Sequence, residues 1–412
     1  MYRDRVSYDE LAIHVAYRDG STEVSRSRSF VRGVRSFDGS RWRIFSCEWC
    51  SDEELRRFAP QFNEELRGES EVELYKGRTE IGSEPSSFEK VLELMEALCS
   101  EAKAMDIRRC EVYATYRRIH RVIEHVEGRA EEVKHLVEMS VGLVALGSFG
   151  TPVYGSSTKF VVVWSGSDLS KVLDEAFREA LERVRRSLHA KSLNPLEIGR
   201  HEVVLDSHAT AALIHELSHL LDPTYPLSIR RLGVQLSTPE IEVVDDPRNP
   251  MSPTTRFFDD EAVPTARRIL IEEGRIVDMH HTRATAKIHG SRPGSAHGLF
   301  QPPQPFHTVL VLKPGDWRER EIVEETKHGF YIEGVAMATL EPGYVRIVPE
   351  VCYRVERGEL VEAVRLRCIK IPLRMLKTVN AVGRSLAVRT SYEKLWLVSE
   401  IAPFIRLECY VE

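Results

Sequence analysis

Bulky and polar residues alternate along the first third of the chain with the period of half-buried strands. Residues 10–46 read as strands, and Glu23–Phe37 shows the alternation best, punctuated by Gly33 and Gly39. Ser51–Arg67 predicts a short helix, with Ser51 as N-cap and Glu54 completing a capping box. Ser86–Met105 places Phe88, Val91, Leu92, Met95 and Leu98 at helical spacing. From Cys110 to Trp164 the pattern returns to strands: Glu111–Arg117, Ile119–Val126, Val133–Leu146 and Phe160–Trp164. The glycines of Gly147–Gly155 read as a turn between strands. Asp168–His189 is an amphipathic helix, with Val172, Leu173, Ala176, Leu181 and Val184 on its inner side. Lys, Ser, Asn and Pro in Ala190–Leu196 mark a domain boundary.

The second part opens with a strand, Glu202–Leu205. A helix follows, capped by Asp206 or Ser207 and running to about Leu221, where Pro223 and Pro226 stop it. Ile269–Ile271 and Arg275–Asp278 flank Glu-Glu-Gly, a hairpin signal. Tyr353–Val355 and Leu360–Ala363 form a second one. Pro372–Val382 reads as a helix and Leu395–Val411 as strands. The expected fold class is α+β: an N-terminal α/β domain over 1–195, then a β-rich C-terminal domain over 196–412.

At 412 residues the chain can bury a large core without staples. Its net charge of -6 and the lack of a basic stripe argue against nucleic acid as a partner. The N-terminus has no apolar run, and no stretch reaches the ~18 apolar residues of a membrane span. No signal peptide, no membrane partner and a cytoplasmic location are expected. The seven cysteines are odd in number and loosely spaced, so no disulfide framework is expected. Cys47 and Cys50 read as two ordinary thiols at a strand end.

The candidate chemistry is on the helix Ala-Ala-Leu-Ile-His-Glu-Leu-Ser-His-Leu-Leu-Asp, residues 211–222. His215 and His219 stand at i and i+4, so both imidazoles share one helix face, as two zinc ligands require. Glu216, one residue round, can reach a water beside such a metal and take its proton. The neighbours are apolar nearly all round, the mark of a buried helix. Three ionisable groups there are costly unless bonded or bound to metal. No phosphate-binding loop and no nucleophile elbow competes. His280 and His281 read as solvated loop histidines. Glu240, Glu242, Asp245, Asp246, Asp259, Asp260 and Glu261 read as a solvated face, from which one carboxylate could hold a ligand histidine by its free N–H.

The ordered segments after this helix resemble those of the TldD/PmbA family. They are Val243-Val244-Asp245-Asp246-Pro247, Phe258-Asp259-Asp260-Glu261-Ala262-Val263-Pro264, Arg267 to Gly274, and Leu312-Lys313-Pro314-Gly315-Asp316. Arg32-Gly33-Val34-Arg35 resembles the family's N-terminal "GVR" strand. The resemblance implies a two-part fold and a zinc peptidase, with Zn²⁺ as cofactor, acting on unfolded peptides. It also implies a PmbA/TldE-like partner subunit that lacks the metal motif, or a homodimer where none exists. The alternative is a metal-binding but inactive partner subunit. The family motif is usually HExxxH, one residue longer than here. Ala262 replaces a family glycine, and the family's third ligand, a Cys, has no counterpart near Ala402-Pro403. Candidates for the third ligand are Glu400, then Cys409, then Asp222, with a water as a further option.

Overall fold

The computed structural model describes residues 2–18, 20–58, 66, 70–85, 88–147 and 150–412. Its first part holds β1 (Tyr2–Arg18), β2 (Ser21–Phe37), β3 (Trp42–Glu48), α1 (Asp52–Phe58), β4 (Gly77–Ile81) and α2 (Glu89–Ala104). Then come β5 (Arg109–His125), β6 (Gly128–Leu146), β7 (Pro152–Val162) and α3 (Leu169–Ser187). The sheet runs β3-β2-β1-β5-β6-β4, with β7 also paired to β6. The two strands expected across 111–126 are one, because β5 pairs with β1 and β6 without interruption. Asp168 caps α3 through the backbone N–H groups of Ser170 and Lys171. Leu173, Phe177 and Val184 of α3 and Met95 and Leu98 of α2 pack onto the sheet through residues such as Val112 and Val141. The Ser51/Glu54 capping box is present, and α1 ends at Phe58; most of the predicted continuation to Arg67, like Ser86 and Ser87 of the next helix, lies outside the described residues.

The second part holds β8 (Lys191–Ser192), β9 (Gly199–Leu205), α4 (Ser207–Ser218), β10 (Val243–Asp245), β11 (Arg268–Glu272), β12 (Arg275–Ile276) and α5 (Arg283–His289). Next are β13 (Ala296–His297), β14 (Gln304–Pro305), β15 (Val309–Leu312), α6 (Glu319–Glu324), β16 (His328–Glu341), β17 (Tyr344–Glu356) and β18 (Glu359–Arg365). It closes with β19 (Ile369–Pro372), β20 (Ala381–Val382), β21 (Ala387–Glu393), β22 (Trp396–Ala402) and β23 (Ile405–Val411). The fold is α+β, with a β-rich C-terminal part, as the pattern predicts. One sheet runs β12-β11-β10-β15-β22-β21. Another runs β16-β9-β23-β19-β17-β18-β8, and β16 also pairs with β17, so five of its strands close on themselves. The expected helix at 372–382 is instead a 3-10 turn, Leu373–Thr378, followed by β20, because Ala381 and Val382 pair with β23.

α4 lies between these two sheets. Its Ala209, Ala211, Leu213, Ile214 and Leu217 share one core with Val203 and Leu205 of β9, Leu310 of β15 and Ile332 of β16. Asp206 caps the helix through Ala209 N–H at 2.7 Å, and its other oxygen accepts Gly334 N–H at 2.9 Å. That carboxylate therefore fixes α4 against β16, and burial pushes its pKa up to about 6.

Three sequence expectations are corrected here. Cys47–Cys50 and Cys99–Cys110 are disulfides, with Cα–Cα distances of 5.9 and 5.5 Å. The second joins α2 to β5, a contact set by helix-on-sheet packing rather than by cysteine spacing. His280 and His281 are buried, not solvated. Asp245, Asp259, Asp260 and Glu261 are buried too, and the last two join the two parts of the chain. Arg35 is fully buried and bidentate to Asp4 at 2.8 and 2.7 Å, and donates to the Asp260 carbonyl at 2.7 Å. Arg121 and Arg256 both pair with the Asp260 carboxylate. Trp42 Nε1–H donates to Glu261 at 2.6 Å. Buried charges on this scale persist because they are paired.

Candidate metal centre

The α-helix ends at Ser218, and the chain tightens into a 3-10 turn over His219–Leu221. The i, i+4 imidazoles of His215 and His219 still meet, ring centroids 5.6 Å apart. Opposite them lies the β21–β22 hairpin. Arg389, Ser391 and Glu393 share one face of β21 by its period of two, and Arg389 pairs directly with Glu400 on β22. That face carries two carboxylates toward α4.

They do different things. Glu393 at the hairpin tip faces both imidazoles, its Oε2 3.5 Å from His215 Nε2 and 3.9 Å from His219 Nε2. Glu400, fully buried, sits on the other side of His215, with Oε1 2.6 Å from Nδ1. The same oxygen is 3.1 Å from His307 Nε2, and Oε2 accepts from Arg389 at 2.8 Å. Facing a carboxylate, His307 Nε2 carries its proton, so Nδ1 accepts the Ser218 hydroxyl at 2.8 Å.

Two sets of three donors therefore share His215: His215, His219 and Glu393, and His215, His307 and Glu400. The second is fully buried and already satisfied by its own hydrogen bonds. The first is less buried. A cavity of ≈ 370 Å³ lies next to it, its walls formed by Asp222, Pro305, Tyr225, which stacks on His219, and Lys394, which follows Glu393. Two imidazoles and a carboxylate make the protein donor set of a catalytic zinc site, whose fourth position is kept for water or substrate. Glu400 matches the outer carboxylate that fixes a ligand histidine's tautomer and ring. The expected order of third-ligand candidates thus changes in space. Glu400 reaches His215 but belongs with His307 rather than with His219. Cys409 lies in the core of β23, opposite His201. Asp222 turns back to Thr224 N and Oγ1, both at 2.7 Å. Among the described residues neither joins a metal-competent group.

Electrostatics divides the two histidines. Burial alone would lower the His215 pKa, but Glu400 and Glu393 push it up to about 9. Burial and the His215 charge lower His219 to about 4. Glu400 itself is held well below the carboxylate range, burial notwithstanding, by His215 and Arg389. The metal-free cluster thus keeps a proton where a cation would sit, and metal binding must release it. Burial raises the pKa of Glu216, whose Oε2 accepts Leu340 N–H of β16 at 2.7 Å. His280, close by, is fully buried with Nδ1 3.8 Å from Asp245 Oδ2.

Glu393, His307 and Arg389 escaped the sequence reading. The signal was there for the first: Glu393-Lys394-Leu395-Trp396 is a tight turn between strand-like runs, and its register puts Glu393 and Glu400 on one face. Nothing local marks His307.

The family profile described as PmbA/TldA metallopeptidase C-terminal domain matches residues 198–408. The chain belongs to the PmbA/TldD metallopeptidase family. A metalloprotease of Archaeoglobus fulgidus is 24% identical over 376 residues, covering 87% of this chain and 85% of that protein. A metalloprotease of Methanocaldococcus jannaschii is 27% identical over 213 residues, 48% of this chain and 47% of the relative. The structure of TldE from Thermococcus kodakarensis superposes with a TM-score of 0.73 at 16% identity, over 99% of this chain and 96% of that one. At that identity the likeness speaks for the fold. Within this PmbA/TldD chain, no described helix is long and apolar enough to cross a membrane.

The Glu400 bridge gives a direct expectation. Glu400→Gln keeps the shape but weakens the hold on His215 Nδ1–H, and zinc affinity should fall about 10–100-fold, the usual effect of removing a ligand's outer partner. Competition titration against a chromogenic chelator measures it, and an unchanged dissociation constant would remove Glu400 from the site.

Proposed function

We propose that this chain is a zinc-dependent peptidase in which His215, His219 and Glu393 hold the metal and Glu216 moves the proton. The observation that carries the reading is Glu393, a carboxylate facing both imidazoles of the HExxH pair at 3.5 and 3.9 Å. Bound there, zinc would supply a Lewis acid that polarises the scissile carbonyl and acidifies water. Glu216 takes the proton from the attacking water as the C–O bond forms. It delivers that proton to the amide nitrogen as the C–N bond breaks, leaving a new carboxyl end and a new amine end. Burial suits Glu216 to both roles, since a raised pKa brings it nearer the working pH. With its donor set complete, the chain reads as the active member of a pair rather than as an inactive partner.

Extended peptides are the substrate class. β21 ends its sheet and has no second strand partner among the described residues, and Glu393 is its last residue. A strand laid along that edge would pass the metal, which favours unfolded chains over folded ones. The structural neighbour TldE supports a PmbA/TldE-like subunit as partner, with a homodimer where none is encoded.

The test is elemental analysis of the purified protein, with casein digestion by the chain alone and with a related subunit. Zinc near one per chain, and digestion abolished by a chelator and restored by zinc, are expected. Absence of bound metal, or intact casein in every combination, would overturn the reading.

A further inference from the structure

A peptidase of this kind needs a donor for the oxygen that becomes charged when water adds to the carbonyl. Every residue assigned so far binds metal, orients a ligand or moves a proton, and none supplies that donor. The turn after the site helix presents one. Asp222 accepts from Thr224 N and Oγ1, Tyr225 N–H donates to the Asp222 carbonyl at 3.1 Å, and Ser228 N–H donates to the Tyr225 carbonyl at 3.1 Å. These bonds fix the backbone on both sides of Tyr225. Its ring then stacks on His219, centroids 4.9 Å apart and planes 29° from parallel, while Phe306 packs on the same imidazole at 4.8 Å. The ring is thus locked to a metal-binding imidazole and forms part of the wall of the ≈ 370 Å³ cavity beside it.

Its hydroxyl forms no hydrogen bond with another described residue. The stack on His219 and the place of the ring in the cavity wall keep the phenol beside that imidazole. An unengaged phenolic hydroxyl on a ring stacked against the site imidazole, at the edge of a substrate-sized space, is a donor in waiting.

We propose that Tyr225 is a catalytic residue that donates its phenolic hydrogen bond to the scissile carbonyl oxygen as that oxygen becomes an oxyanion. This rests on the peptidase reading above. The bond is absent from, or weak in, the ground state and strengthens with the developing charge, so it acts on turnover more than on substrate binding.

The test compares wild type with Tyr225→Phe, which keeps the ring stack on His219 and loses only the hydroxyl. The zinc-loaded proteins are titrated calorimetrically with an extended peptide and with the same peptide carrying a phosphinic group at the scissile position. Wild type should prefer the phosphinic form. Tyr225→Phe should lose about 10²–10³-fold of that preference and of kcat, with zinc content and KM little changed. Equal preference and equal kcat in the two proteins would overturn the role of Tyr225 and leave the peptidase reading standing. A wild type that binds both ligands alike and cleaves neither would overturn the peptidase reading, and Tyr225 with it.

Discussion

Glu393→Ala is expected to strip the protein of its metal. Two imidazoles on one helix turn hold zinc weakly by themselves, because a catalytic site takes three protein ligands. The nearest replacement, Glu400, is held by His215 Nδ1, His307 Nε2 and Arg389 on the far side of the ring. It cannot swing to Nε2 without abandoning His307 and the charged Arg389 in a fully buried site. The loss in affinity should therefore exceed the ~10–100-fold expected for Glu400→Gln, since a ligand is removed rather than its support. Hydrolysis should vanish at ordinary zinc concentrations. Folding should survive, because Glu393 sits at a hairpin tip and is only half-buried. Circular dichroism would check the fold, and a chelator titration the affinity. Undiminished zinc affinity in Glu393→Ala, with loss in Cys409→Ser, would place the third ligand elsewhere.

Glu216→Gln should give the opposite pattern, with metal retained and turnover lost. Glu216 is not expected to touch the metal. Its Oε2 is engaged by Leu340 N–H at 2.7 Å, and glutamine can keep that bond through its amide oxygen. Stability and zinc content should stay close to wild type. The proton transfer cannot be kept, so kcat should fall about 10²–10⁴-fold, the usual contribution of general acid–base catalysis. Peptide cleavage at the wild-type rate, with zinc content matched, would exclude Glu216 as the proton carrier. The two variants together separate holding the metal from using it.

Local patterns carried much of the architecture. Alternation along 137–146 and the amphipathic spacing of 168–189 are each set by one interface, so they survive in the linear chain. The Asp206 cap and the proline stop fixed the site helix to within a turn. His215 and His219 were legible for the same reason: their proximity is helical geometry, decided by four residues of separation. The buried acidic segment was misread because solvated and buried carboxylates look alike until their partners are known. Arg35 and Arg121, which hold Asp260, stand more than a hundred residues away in the first sheet.

The third donor belongs to the same class. Glu393, Glu400 and His307 are 178, 185 and 92 residues from His215, and their meeting depends on the sheet β10-β15-β22-β21 folding over α4. Whether Glu393 and Glu400 both face α4 depends on the register of β21 against β22, since a shift of one residue turns one strand's set to the opposite face. The sequence by itself determined the helix, its two imidazoles and the neighbouring glutamate, because those are short-range consequences of a 3.6-residue period. Only the tertiary structure decided which carboxylate completes the set and which one braces it, because long-range strand pairing has no local signature.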